Sequence, residues 1–288
     1  MTGRILVTGG FTGLGRELTR ELSSRGESVI AAGRDARRCP PFARVVPLEL
    51  DLASLGSIAS AVERVREVVE DGLSGIVCNA AVQVVDGVRR SAEGHELTFA
   101  TNHLGHFALV TRLLESVRDG GTVTIVSSGT HAGPQGAFGF PGPRWRPPAL
   151  LADPREQDPS PRAGRVRYAT SKLANLYFAY ELARREPRLR VRAFDPGLMP
   201  ATGLARDYPV LVRGAYRLLA PAIAALVPGV RTPASAARHL ARLVCDAADA
   251  QTGAYVVGGR VARSSEESYD RERASELWRF SEAVVSSG

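Results

Sequence analysis

The chain has 288 residues, enough to bury the core of one large α/β domain. Its 44% hydrophobic and 23% charged residues are ordinary for a globular protein, and no apolar run reaches the roughly 20 residues of a membrane-spanning helix. The net charge of +7 is spread over pairs such as Arg37-Arg38, Arg89-Arg90 and Arg184-Arg185, with no basic block and no nucleic-acid motif, so a solvated arginine surface is favoured over a nucleic-acid partner.

Arg4 to Thr8 reads as a buried strand, followed by the turn Gly9-Gly10-Phe11-Thr12-Gly13-Leu14-Gly15 and a helical pattern from Arg16 to Arg25. Strands at Ser28–Ala32, Val45–Leu50 and Gly75–Cys78 then alternate with a helix at Ser57–Glu70. A helix at Asn102–Val117, a strand at Thr122–Ser127, a helix at Tyr168–Arg184 and a strand at Arg190–Phe194 continue the rhythm. Such alternation predicts a single Rossmann-type, doubly wound parallel sheet with helices on both faces, and one domain over 1–288. Two stretches interrupt it. Residues 129–167 hold eight of the 18 prolines, with Phe138, Phe140 and Trp145 among them, and are expected to be an insertion that serves as a functional lid or a mobile segment. Residues 199–230 are apolar and bounded by proline, which suits a substrate cap in preference to a contact with a membrane surface. The tail from Asp270 to Val285 has the pattern of a closing helix, with Leu277, Phe280 and Val284 on one side.

The first strand begins at once with Ile5-Leu6-Val7, leaving no room for a secretory signal. Cys39, Cys78 and Cys245 are too scattered for a disulfide framework or zinc cluster, so a cytoplasmic compartment is expected. His95, His103, His106, His131 and His239 show no metal-ligand spacing. His131 could reach a substrate or simply serve a turn.

Gly9, Gly13 and Gly15 lie between a strand and a helix, where small residues let the backbone approach a pyrophosphate at the helix N-terminus. At the tip of the second strand stands Arg34, whose guanidinium matches a 2′-phosphate and so favours NADP(H) over NAD(H). Asp35 follows it, either as a competing acid or as the partner of a neighbouring arginine. Asp51-Leu52 after the third strand suits an adenine contact, or a helix cap.

Of the 37 basic residues, 36 are arginine and one is lysine, Lys172; asparagine occurs only at 79, 102 and 175. In a chain so biased towards arginine, the surviving lysine marks a position where the swap is chemically excluded. Tyr168 stands four residues earlier, on the same helix face. A tyrosine with a pKa of about 10 exchanges protons poorly at neutral pH, and a nearby ammonium would lower it. Lysine suits this task because its compact charge has three rotatable donors. No Gly-x-Ser-x-Gly elbow is present, which disfavours a serine hydrolase.

The Thr8–Gly15 turn, Asp51, Asn79-Ala80-Ala81, Asn102, Ser127-Ser128, Tyr168-x3-Lys172 and Pro196-Gly197 occur in the order found in the short-chain dehydrogenases/reductases, which the chain resembles over nearly its whole length. Asn102-His103-Leu104-Gly105-His106-Phe107, Ser171-Lys172-Leu173-Ala174-Asn175, Thr202-Gly203-Leu204 and Leu277-Trp278 resemble the branch of retinol dehydrogenases and light-dependent protochlorophyllide reductases. The resemblance implies a catalytic set of Asn102, Ser128, Tyr168 and Lys172, with Ser128 preferred over Ser127. It also implies cofactor contacts from Phe11, Thr12 and Leu14 in the glycine turn, from Asn79, Ala80 and Ala81, and from Pro196, Gly197 and Thr202. The implied activity is hydride transfer between NADPH and a carbonyl or alcohol, in a homodimer or homotetramer, and the aromatic insertion and the 199–230 segment point to an apolar, sizeable small molecule as substrate. Reduction of a conjugated C=C bond is the alternative within enzymes, and a non-catalytic NADP-binding regulator the alternative outside them.

Overall fold

The computed structural model describes residues 3–137, 139–199, 230–246 and 251–286. Strands β1 (Arg4–Thr8), β2 (Ser28–Gly33), β3 (Val45–Glu49), β4 (Leu73–Cys78), β5 (Val117–Val126), β6 (Arg190–Asp195), β7 (Ala254–Val257) and β8 (Arg260–Ala262) form one sheet in the order β3-β2-β1-β4-β5-β6-β7-β8. Pairing is parallel from β3 through β7 and antiparallel between β7 and β8. This is the doubly wound parallel sheet the sequence predicts, with β8 added antiparallel at one edge. Gly258 and Gly259, both at positive φ, close the tight hairpin that reverses the chain.

Helices α1 (Gly13–Ser24), α2 (Leu55–Val68), α3 (Leu97–Phe99), α4 (Gly105–Leu113), α5 (Pro148–Ala152), α6 (Pro161–Arg185), α7 (Pro233–Cys245) and α8 (Arg271–Ser286) surround the sheet. Side chains alternate across it as strand geometry requires. Ile5 and Val7 of β1 pack with Leu18 and Leu22 of α1 and with Leu240 and Val244 of α7. Leu6, between them, points to the other face, among Ile58 and Val62 of α2, Phe107 of α4 and Leu176 of α6. Beyond α6 lies a further apolar layer, where Tyr177 and Leu173 meet Phe99, Leu104, Leu151 and Leu277. α6 is therefore buried on nearly all sides, with polar residues such as Ser171, Lys172 and Asn175 enclosed along with the apolar ones.

Several boundaries differ from the sequence expectation. The helix expected at 102–117 is instead α3, a π-helical turn Ala100–Leu104 and then α4. The strand expected at 122–127 begins at Val117. The proline-rich insertion is largely folded: a 3₁₀ turn covers Gly129–Gln135, α5 begins on prolines, and α6 starts at Pro161 with Ser160 accepting from the Ala163 amide. α7 was not anticipated, although Thr232-Pro233 supplies an N-cap and a first-turn proline, with Thr232 accepting from the Ser235 amide. Residues 200–229, which include the expected cap and Thr202, lie outside the described residues. Among the described residues no helix is long and apolar enough to cross a membrane.

Candidate functional site

The expected site residues gather at the C-terminal ends of the parallel strands. The strand order reverses between β1 and β4, the switch point where doubly wound sheets open a crevice for a ligand. The glycine turn leaves β1 here. Gly13 has φ +54 with nothing within 4 Å of a would-be side chain, whereas a Cβ at Gly15 would collide with the Gly9 carbonyl and stand 2.6 Å from Asn79 Nδ2. Glycine at 13 is thus a matter of backbone conformation, and at 15 of close approach. Thr12 precedes α1 without a side-chain cap, and the first helical turn carries no acid. First-turn amides with no side-chain cap and no acid beside them suit a pyrophosphate. Phe11 is buried, its ring so close to Gly33 that a Cβ there would overlap it. The turn is thereby pinned to the tip of β2.

Arg34 follows β2, exposed and with no ion pair among the described residues. Asp35 does not compete with it: its carboxylate takes the Arg37 guanidinium at 2.9 Å, which holds the acid below its usual range. After β3, Asp51 accepts from the Ala53 amide at 2.9 Å, and Ser54 rather than Asp51 caps α2. The cap alternative for Asp51 is thereby set aside. Leu52 is buried beneath α4, its carbonyl so near Gly105 that a side chain there would clash.

At the tip of β4, Thr8 Oγ1 accepts from the Asn79 and Ala80 amides at 2.9 and 3.0 Å. With both lone pairs used, its proton goes to His106 Nε2 at 2.9 Å rather than to the more distant Val77 carbonyl at 3.3 Å. His106 Nδ1–H then donates to the Asn102 carbonyl at 3.0 Å. Burial pushes His106 down to about 4, so the neutral ring this chain of donors requires is the form present at neutral pH. Asn79 Nδ2 also donates to the Thr8 carbonyl at 2.8 Å. Sequence reasoning missed Thr8 and His106 as positioning groups, because neither carries chemistry of its own.

Asn102 sits in the π-turn, a local widening that often re-aims a side chain at a functional site. Its Oδ1 accepts from the Val82 amide at 2.8 Å, and its Nδ2 donates to the Val82 carbonyl and to Ser171 Oγ, each at 2.9 Å. Ser171 Oγ–H goes on to the Tyr168 carbonyl at 2.7 Å. Asn102 therefore joins the strand β4 exit to the helix that carries Tyr168 and Lys172.

The two serines after β5 have different surroundings. Ser127 is buried and its Oγ donates to the Lys172 carbonyl at 2.9 Å, while Ser128 is half-buried and accepts weakly from the Thr130 amide at 3.4 Å. Ser128 is the hydroxyl left available to a ligand. The Lys172 ammonium lies 5.5 Å from the Tyr168 ring centroid and donates to the Val126 carbonyl at 3.2 Å. Both side chains are buried. Burial lowers Lys172 to about 8, and burial, reinforced by the Asp195 carboxylate, raises the Tyr168 phenol above its ordinary value. Both of these influences act against the lowering that the sequence predicts from the neighbouring ammonium. The Phe140 ring stands edge-on to Tyr168 at 6.0 Å, forming an aromatic wall from the insertion.

At the tip of β6, Pro196 is buried and Gly197 turns at φ +81, its amide bonded to Asp195 Oδ1 at 2.8 Å. Asp195 went unremarked in the sequence, where an acid before Pro-Gly looks like an ordinary turn residue. His131 occupies a turn: Nδ1–H donates to the Ser128 carbonyl at 2.6 Å and Nε2 accepts from the Ser265 amide at 3.1 Å. Among the described residues no group of His, Cys, Asp and Glu could hold a metal ion. The glycine cradle, the uncapped α1 amides and Arg34, without an ion pair among the described residues, fit a nicotinamide dinucleotide.

Comparisons with known proteins agree with this architecture. The short chain dehydrogenase family matches residues 4–141. Protochlorophyllide reductase B of Hordeum vulgare is 30% identical over 99% of this chain and 79% of its own length. The Daucus carota protochlorophyllide reductase is 30% identical over 98% of this chain and 78% of its own. Among solved structures, an uncharacterized protein from Mycobacterium Paratuberculosis superposes with TM-score 0.70 at 28% identity, covering 99% of this chain and 93% of that one. A Brucella melitensis 3-ketoacyl-(acyl-carrier-protein) reductase shares the fold at TM-score 0.63 and 19% identity, over 90% of this chain and 98% of that one. The chain belongs to the short-chain dehydrogenase/reductase family of oxidoreductases, on the branch of the protochlorophyllide reductases.

Proposed function

We propose that the protein, acting as one domain, transfers hydride between NADPH and a carbonyl or alcohol group of an apolar small molecule. The observation that carries this is the burial of the chain's single lysine beside Tyr168, at the strand ends where Ser128 and Asn102 also meet. A nicotinamide dinucleotide supplies the hydride. The glycine turn, Asn79 to Ala81 and Pro196-Gly197 hold it, and Arg34 takes the 2′-phosphate, which is the basis for NADPH over NADH. Thr202 is assigned to the same cofactor by resemblance alone.

Ser128 Oγ–H orients the substrate oxygen. Tyr168 passes its phenolic proton to that oxygen during reduction, or takes it during oxidation. The Lys172 ammonium stabilises the phenolate left behind, which matters more because the site is dry. Asn102 sets the helix bearing both. The Phe140 wall beside Tyr168 favours an apolar substrate.

The test is a carbonyl and alcohol panel followed by nicotinamide absorbance, with NADPH and NADH in parallel. Turnover with NADPH at least tenfold faster than with NADH is expected, and its absence across the panel with either cofactor would refute the proposal. A second reading, reduction of a conjugated C=C bond, draws on the names of the relatives that align over nearly the whole chain. Conjugated enones in the same panel separate the two, since the saturated ketone and the allylic alcohol are distinct products.

A further inference from the structure

Of the three asparagines, Asn79 lies at the tip of β4 and Asn102 in the π-turn, each with the bonds described above. The third, Asn175, has no part in the proton transfer. It stands three residues after Lys172, so the two side chains share one face of α6. Both reach the end of β5. The Val126 carbonyl accepts from Lys172 Nζ at 3.2 Å and from Asn175 Nδ2 at 3.1 Å. A carbonyl oxygen has two lone pairs, and these two donors use both.

The ammonium's bond is long, since a charged N–H donor ordinarily stands about 2.7–2.9 Å from its oxygen. Among the described residues that carbonyl is its one hydrogen-bond acceptor, although Lys172 is only 2% exposed. Two of its three N–H groups are therefore uncommitted. Asn175 is as deeply enclosed, and its Oδ1 has no hydrogen-bond partner among the described residues. Turning the amide over would set Oδ1 against the Val126 oxygen, two acceptors face to face. A buried acceptor without a donor is destabilising, so an apolar side chain here would suit the fold at least as well.

We propose that Asn175 is a positioning residue for Lys172: by occupying one lone pair of the Val126 carbonyl, its amide keeps that oxygen from holding the ammonium tightly. This role rests on the functional assignment above. Two donors on one oxygen share its charge, and their hydrogens repel each other, so each bond is weaker than it would be alone. An ammonium held loosely in a dry site is short of acceptors. It gains most from the groups that arrive there, the hydroxyls of a bound dinucleotide and the phenolate that Tyr168 becomes during reduction. Burial lowers Lys172 to about 8, as expected for a poorly satisfied cation.

Lys172 is the chain's single lysine, so protein grown on lysine isotopically labelled at Nζ shows one side-chain nitrogen signal by NMR. Titrating that signal reads the ammonium with no need for turnover. N175A and N175V both remove the competing amide. The titratable groups around the ammonium, Tyr168 of α6, His106 of α4 and Asp195 of β6, are unchanged in them. With the carbonyl to itself, the ammonium should titrate about 0.5–1 pH unit above the wild-type midpoint. That extra hold is given up when NADPH binds, so its Kd should rise about 3- to 10-fold, the same free energy read another way. A side chain that only fills space would leave the midpoint in place. An unmoved or lower midpoint in a folded N175A or N175V would overturn the proposal. Failure of both variants to fold would overturn it too, since the amide would then be held for the fold. Wild type that neither binds NADPH nor turns over the panel would instead sink the functional assignment, and the Nζ titration still judges Asn175 in that event.

Discussion

Asn102 Nδ2 and Ser171 Oγ meet at 2.9 Å across the boundary between the π-turn and α6, and through that one bond the exit of β4 is coupled to the backbone of Tyr168. Both partners are fully buried. Asn102→Ala would leave the Val82 amide and the Ser171 hydroxyl short of partners, a loss of about 1–3 kcal/mol for an unsatisfied buried group. Ser171→Ala should cost less. The double variant should fall short of the sum by at least about 0.5 kcal/mol, as for residues sharing one network. Urea midpoints of the four proteins supply the cycle, and simple additivity would mean the bond does not couple them.

Tyr168→Phe removes one hydroxyl and preserves the ring against Phe140. Turnover should drop by about 10²–10⁴, the range for loss of a general acid–base group. NADPH affinity, read by fluorescence titration, should stay within about threefold. A variant with wild-type kcat would remove Tyr168 from the chemistry.

Arg34 is exposed and has no ion pair among the described residues, so its loss should matter to the cofactor more than to the fold. Charge-assisted hydrogen bonds contribute about 1.5–3 kcal/mol. Arg34→Ala should therefore raise KM for NADPH about tenfold to a hundredfold and leave KM for NADH nearly unchanged. Equal losses with both cofactors would show that Arg34 does not read the 2′-phosphate.

Lys172 is charged in the unfolded chain up to its ordinary value of 10.5, but in the folded protein only up to about 8. The unfolded state thus binds more protons between those values, and the stability deficit from Lys172 is full below pH 8 and shrinks as pH rises towards 10.5. Lys172→Met should stabilise the protein at pH 7 by about 1–3 kcal/mol: a pKa lowered tenfold in its equilibrium corresponds to about 1.4 kcal/mol, and the lost bond to Val126 offsets part of the gain. The gain should fade by pH 10, while turnover is lost at every pH. Thermal melts across pH check this; a stability gain that does not depend on pH would argue against an ammonium held in a dry site.

The sheet was legible in the sequence wherever a strand is an unbroken apolar run, as in Ile5-Leu6-Val7, because parallel strands are covered on both faces. The glycine turn, Asn102 and the Tyr168–Lys172 pair were legible because each needs a particular residue type. What escaped was set by tertiary contact. The start of α6 at Pro161 was hidden because its apolar residues have no single face, being packed between the sheet and α8. The Thr8–His106–Asn102 chain and the Tyr255–Asp195 bond join residues far apart in sequence, whose neighbours carry no sign of one another. The phenol's raised pKa was invisible for the same reason: spacing reveals the ammonium, while only the fold reveals how dry the site is.

The enclosure of α6 separates what can change in this protein from what cannot. From Arg167 to Leu182 every residue is buried, so nearly any substitution there disturbs a neighbour on one side or another. Phe140, by contrast, reaches Tyr168 from a half-exposed position in the insertion. If α6 handles the proton as proposed, new substrates are to be sought by exchanging residues of the insertion while that helix stays the same. Variation in a library built on this scaffold belongs at 137–146, with α6 held constant.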